Sequence, residues 1–337
     1  NTSDAEFATN NGFPGSIRSF TYDLYQNNYF YGLPWILKEE GYETAAFHGY
    51  DRTFWNREAA YPGQGFDRFF HDGDFKSDGL VSLGGTTGIS DQAFYTQSIP
   101  YLKSLKQPFY SFFITLSNHH PFQLPRSLQA LELAPEDKNT LFGDYLQSVH
   151  YTDQAIGTFL KQLKKNKLYE NSVIVIYGDH FGLPGTDAAV SKRVSAFLGK
   201  EYDMASMMNI PLLIHIPGVD QQQTISVTGG QSDFLPTISY LMGVESLPTL
   251  YFGQNLFTAE SGFVPEQTFL LKGSFLRDDL VFEMSRDGVF EHSKAWNFET
   301  GLPVPLSEME TDFERARSLM EQANFYLEGD VIRKAMV

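Results

Sequence analysis

Ser172-Val173-Ile174-Val175-Ile176, running into Tyr177-Gly178-Asp179-His180-Phe181-Gly182, is the stretch on which the fold turns. An apolar, β-branched run bounded by Asn171 and Gly178 predicts a strand buried on both faces. An Asp-His pair leaving its C-terminal end stands where open α/β sheets build their sites. Carboxylate oxygen and imidazole nitrogen from neighbouring residues suit Mn, Zn or a similar divalent ion, and the flanking glycines allow a tight turn.

Outward from this strand, the same grammar repeats. A short helix over 32–40 leads to a strand at 44–47 that delivers His48-Gly49. A second buried strand, 109–116, delivers Ser117-Asn118-His119-His120-Pro121, and a fourth, 210–216, closes with Pro217-Gly218. Apolar side chains at 141, 145, 149, 152, 156, 159, 160 and 163 predict one long amphipathic helix packed on the sheet. Residues 183–209 are mixed and polar and read as a flexible loop near the site, and Ser232 or Asp233 caps a further helix. Beyond residue 250 the short pieces 269–271, 280–284, 288–291 and 295–298 suggest an antiparallel meander, followed by a helix over 306–327. The expected class is α/β, a mostly parallel central sheet sandwiched by helices, with residues 1–249 as catalytic domain and 250–337 as a small C-terminal subdomain.

Composition narrows the chemistry. The 337 residues, 42% of them apolar, can bury one large core with an appended subdomain. No apolar run approaches the length of a membrane span. With no Cys, disulfides, thiolate-ligated zinc and a cysteine nucleophile are excluded. A net charge of -16 argues against a nucleic-acid footprint, so an anionic substrate has to be met locally, by a metal or by single Arg and His residues. The chain opens Asn1-Thr2-Ser3-Asp4-Ala5-Glu6-Phe7, without initiator Met or signal-peptide pattern, and reads as a fragment of a longer precursor. Taken singly, His48, His119 and His180 each read as well as structural histidines; three strands ending in His or Asp-His point to a shared site.

Four ordered motifs then carry a resemblance: Thr2-Ser3-Asp4-Ala5-Glu6-Phe7; His48-Gly49 with Phe54-Trp55-Asn56-Arg57; Ser117-Asn118-His119 with Pro121-Phe122; and Gly178-Asp179-His180 with Gly182. It extends through Tyr151-Thr152-Asp153, Asp233-Phe234-Leu235-Pro236-Thr237, Phe252-Gly253-Gln254-Asn255-Leu256-Phe257 and Gly273-Ser274-Phe275. Together they resemble the extracellular catalytic domain of lipoteichoic acid synthases and related phosphoglycerol transferases, in the sulfatase and alkaline phosphatase superfamily.

The resemblance implies a sulfatase/alkaline phosphatase-like fold and a metal-dependent transfer of phosphoglycerol. Thr2 matches the nucleophile and, with Asp179 and His180, the metal ligands; Mn2+ is the implied ion, with Mg2+ or Zn2+ as alternatives. The family's remaining protein ligand, a Glu at the end of a strand before the threonine, falls outside this sequence, and Asp4 and Glu6 stand on the wrong side of Thr2 to replace it. His48, Trp55, Arg57 and His119 match positions around the glycerol phosphate headgroup, with His119 also a proton donor or charge stabiliser. One departure is Tyr50, followed by Asp51, where some members carry Asp. The implied partners are a phosphatidylglycerol-type lipid, a glycerol phosphate polymer or glycolipid acceptor, and a membrane surface reached through an upstream transmembrane region. The implied place is the extracellular face of a bacterial cell membrane, with release by cleavage left open. Two other readings stand beside this one: a sulfatase-like phosphodiesterase or sulfuric ester hydrolase, and a non-catalytic module that binds glycerol phosphate polymers. Thr2 in place of a formylglycine precursor counts against a true arylsulfatase.

Overall fold

A computed structural model of the chain describes residues 1–83, 86–244, 247, 249–266 and 271–332. In chain order the described helices are α1 (Thr2–Asn11), α2 (Thr21–Tyr25), α3 (Leu33–Glu39), α4 (Arg57–Gln64), α5 (Asp91–Ser104), α6 (Leu141–Lys165), α7 (Ala188–Leu198), α8 (Met204–Met208), α9 (Phe234–Leu241) and α10 (Glu310–Gly329). The strands are β1 (Glu43–His48), β2 (Arg68–Phe70), β3 (Ser82–Leu83), β4 (Thr86–Thr87), β5 (Phe109–Ile114), β6 (Ile174–Tyr177), β7 (Leu212–His215), β8 (Phe263–Pro265), β9 (Phe275–Arg277), β10 (Leu280–Glu283) and β11 (Lys294–Asn297). They fall into two compact units: Asn1–Glu39, Trp55–Gly65 and the chain from Gln222 onward form one, and Glu40–Phe54 with Phe66–Gln221 the other.

In the second unit, β2-β1-β5 is a parallel sheet, with Phe47 opposite both Phe70 and Phe113. Every residue of β1 after Glu43 is buried, as expected of a strand covered on both faces. Phe47 stacks on Phe113 at 4.4 Å and on Phe70 at 4.7 Å, and Phe94, Ile99 and Leu102 of α5 and Ala155, Phe159 and Leu163 of α6 complete that core. The long helix forms where its periodicity placed it, capped by Thr140, but its buried stripe runs through Phe142, Ser148, Tyr151, Ala155, Phe159 and Leu163, and Val149 is exposed.

Two expectations fail in this unit. β6 and β7 do not extend the parallel sheet; they form a separate antiparallel pair, Ile174 opposite His215 and Tyr177 opposite Leu212, and β6 is half-buried along its length. A short apolar run specifies a strand but not its direction, which is set by whatever chain returns beside it. That return is helical where a flexible loop was expected: α7 starts at Asp187, whose carboxylate accepts from the Ala189 and Val190 amides, and ends at Gly199, and α8 follows.

The first unit holds α1, whose residues 5–11 are all buried, and an antiparallel sheet β11-β10-β9-β8. Phe275, Phe282, Met284, Ala295 and Met309 make the sheet's own core with Ala316 of α10. The pieces at 280–284 and 295–298 are strands β10 and β11; 288–291 is instead part of a turn leading to a 3-10 segment, Phe290–His292, and of 269–271 both Phe269 and Leu270 lie outside the described residues. A 3-10 turn at Leu306–Glu308 precedes α10, so the terminal helix begins later than its apolar pattern suggested.

Candidate active site

Thr2 is the first residue of α1, directly after the N-cap Asn1. Asn1 Oδ1 accepts from the Asp4 amide at 3.2 Å and the Ser3 hydroxyl at 2.8 Å, while the Asp4 carboxylate accepts from the Thr21 amide and hydroxyl. The end of the chain is thus held as a capped helix start, where unsatisfied amides carry partial positive charge.

One turn along α1, Glu6 is only 2% exposed and meets Arg57, 1% exposed. Arg57 Nη2 donates to Glu6 Oε1 at 2.6 Å and its Nε donates at 3.0 Å, while the Tyr61 hydroxyl donates to Oε2 at 2.7 Å. Burial alone would pull the Arg57 pKa down, but the Glu6 carboxylate overrides it and holds the guanidinium above its ordinary value. Burial, and then the Glu6 charge, push the Tyr61 phenol well above its usual range, so it remains a donor. Just before Arg57, Trp55 and Asn56 both have φ of 57°, a left-handed conformation that side chains other than Gly avoid. The Asn56 amide nitrogen donates to the Tyr22 carbonyl at 3.1 Å and Gln26 Oε1 at 2.6 Å, and the half-buried Trp55 ring packs edge-on against Phe20. This elbow starts α4 with Arg57 directed inward.

In the other unit, His48 ends β1, fully buried, with Nδ1 bonded to the Ile114 carbonyl at 3.1 Å. A Cβ on the following Gly49 would lie 2.0 Å from Ile89 Cγ2, so only Gly fits there. His119 leaves the end of the neighbouring strand β5 and is exposed; its Nδ1 bonds the His120 carbonyl at 2.8 Å. A carbonyl only accepts, so in the neutral ring Nδ1 carries the hydrogen and Nε2 the lone pair. His48 and His119 therefore stand at the same ends of two paired parallel strands. Tyr50 is buried with its ring edge-on to Phe54, and Asp51 accepts from the Thr53 amide and hydroxyl.

Asp179 and His180 follow β6. Asp179 Oδ1 accepts from the His180 amide at 3.0 Å, His180 Nδ1 bonds the Phe181 carbonyl at 2.7 Å, and Nε2 lies 3.5 Å from Asp179 Oδ2. A Cβ on Gly182 would come within 2.4 Å of the Tyr145 ring, so a side chain in this turn would have to displace that ring.

Residues 1–244 match the family model for sulfatases. The chain belongs to the sulfatase family. Its relatives include the lipoteichoic acid synthase-like YvgJ of Bacillus subtilis (strain 168), 39% identical over 83% of this chain and 45% of that protein. The lipoteichoic acid synthase of Staphylococcus saprophyticus is 32% identical over 98% of this chain and 50% of its own length. The chain spans about half the length of the curated relatives it matches. The crystal structure of the lipoteichoic acid synthase LtaP from Listeria monocytogenes superposes with a TM-score of 0.89 at 28% identity, covering 97% of this chain and 80% of that one.

Members of this sulfatase superfamily typically use a divalent metal. Asp179 and His180 offer one oxygen and one nitrogen donor, with the His ring held through Nδ1 in the manner of metal-ligating histidines. Two donors are part of such a set, and among the described residues no group of three or more His, Cys, Asp or Glu is placed to hold a metal ion. The residues whose supporting part sequence reasoning missed are Glu6 and Asn56. Both stand in the ordered motifs, but neither showed its role there, because the partners lie far off in the chain: Arg57 is 51 positions from Glu6 and Gln26 is 30 from Asn56.

Proposed function

We propose that this chain is the catalytic part of a phosphoglycerol transferase, moving phosphoglycerol from a phosphatidylglycerol-type lipid to a growing glycerol phosphate polymer or glycolipid through a threonine-linked intermediate. The observation that carries this reading is Thr2 at the start of a capped ten-residue helix, in a chain whose relatives are named lipoteichoic acid synthases. The helix N-terminus favours both an alkoxide and an anionic phosphate. The chemistry belongs to residues 1–249, on the extracellular face of a bacterial membrane, with 250–337 as an appended subdomain.

Thr2 Oγ attacks phosphorus, the bond from phosphorus to the diacylglycerol oxygen breaks, and the threonine proton ends on that oxygen. An acceptor hydroxyl then attacks the phosphorus of the phosphoglycerol-threonine ester, the bond from phosphorus to Thr2 Oγ breaks, and the acceptor's proton returns to that oxygen. His119 Nε2, the nitrogen left by the Nδ1 bond, exchanges the proton in both steps. Arg57 stays cationic, with Glu6 fixing its plane and meeting its charge; its place at the headgroup phosphate rests on the resemblance. His48 and Trp55 flank the glycerol. A bound divalent cation, proposed as Mn2+ with Asp179 and His180 as ligands, supplies Lewis acidity toward the hydroxyl and phosphate.

The test is a fluorescent phosphatidylglycerol with Mn2+, comparing the full-length protein with its Thr2→Ala variant. Release of labelled diacylglycerol that needs both Mn2+ and Thr2 is expected; release indifferent to Thr2 overturns the mechanism.

A further inference from the structure

Asp91 opens α5 and is fully buried, yet it does not cap its own helix. Ser90 fills that role, its hydroxyl accepting from the Ala93 amide. The Asp91 carboxylate turns instead to the chain leaving β5: Oδ1 accepts from the Leu116 amide at 3.0 Å and the Ser117 amide at 2.9 Å. Its other oxygen accepts from the Thr152 hydroxyl on α6 at 2.8 Å, and the Asp91 amide donates to the Ser117 hydroxyl at 2.9 Å. The next residue, Asn118, accepts from Ser148 of the same helix at 2.7 Å. Ser117 and Asn118 immediately precede His119. The Tyr151-Thr152-Asp153 stretch singled out in the sequence thus finds a use: Thr152 ties the long helix to this carboxylate.

We infer that Asp91 is a positioning residue for His119, locking the turn after β5 to α5 and α6 so that the imidazole is presented at a fixed place. This rests on the reading of His119 as the proton-exchanging group. The carboxylate is met by dipoles, two amides and a hydroxyl, that converge from two other elements; such convergence fixes geometry where a lone helix cap would fix only its own helix. Burial raises the Asp91 pKa, and the hydrogen bonds from Ser117, Leu116 and Thr152 offset part of that rise.

The geometry makes Asn a replacement that keeps every bond: its oxygen accepts from both amides and its nitrogen donates to the Thr152 hydroxyl. With the full-length protein, Mn2+ and fluorescent phosphatidylglycerol, Asp91→Ala is expected to lower kcat by about 10–100-fold with KM nearly unchanged. Asp91→Asn should stay within about 3-fold of the wild type, since the bonds persist. Ala behaving like wild type, or Asn as impaired as Ala, overturns the inference. Should Asp91→Ala fail to fold, Thr152→Val removes one bond, and a fall in kcat supports the inference while an unchanged kcat overturns it. If the wild type releases no diacylglycerol, it is the functional reading that has failed. Amide exchange at Leu116 and Ser117 then decides alone: faster in Asp91→Ala and unchanged in Asp91→Asn supports positioning, unchanged in both overturns it.

Discussion

The two units each carry one acid–base pair central to the proposed chemistry, and the pairs differ in burial. Glu6 and Arg57 are 2% and 1% exposed, with Tyr61 sealing the second carboxylate oxygen. Asp179 and His180 have side chains 40% and 34% exposed and lie 3.5 Å apart on a turn. Removing one partner of a buried pair strands a charge in low dielectric, whereas solvent replaces a partner at a half-exposed turn. Arg57 is therefore welded into the fold, while Asp179 and His180, proposed as metal ligands, are presented by it.

The largest expected effect comes from breaking the buried pair: Glu6→Gln should cost about 3–5 kcal/mol of stability, read from urea unfolding. The triple variant Glu6→Leu, Arg57→Met and Tyr61→Phe should recover most of that loss yet release no diacylglycerol, separating fold from function. Next is the elbow that aims Arg57. Asn56→Ala loses two hydrogen bonds and forces Ala into the left-handed region, for about 2 kcal/mol in total. Asn56→Gly tolerates that backbone and should cost less; equal losses would mean that the bonds, and not the conformation, matter. The smallest change in stability is expected for His180→Ala, within about 0.5 kcal/mol by thermal unfolding, with diacylglycerol release falling by about 100-fold or more. A large drop in melting temperature there would erase the contrast between the pairs.

Legibility followed the same divide. His48, His119 and Asp179-His180 were readable because each ends an apolar strand, and strand ends are marked by composition within a few residues. Arg57 was readable as a cation but not as a buried one, since its partner Glu6 lies 51 positions away in the chain. Asp91 was not singled out from the sequence, and its bonds to Leu116 and Thr152 span 25 and 61 positions. The stripe on α6 showed the helix, but not which side chains would be innermost, because several faces of that helix carry apolar residues.

By itself the sequence determined the α/β class, the strands β1, β5, β6 and β7, the long helix and the polar residues that follow three of those strands. These depend on local period and on residues that start or stop elements, which are written within a short window. Tertiary structure alone decided that β6 pairs antiparallel with β7, that residues 183–209 contain two helices, that Thr2 begins a capped helix, and that buried carboxylates tie distant elements together. Each of those outcomes is a choice among partners far apart in sequence, and it is settled by which pairing leaves the fewest buried charges and amides unsatisfied.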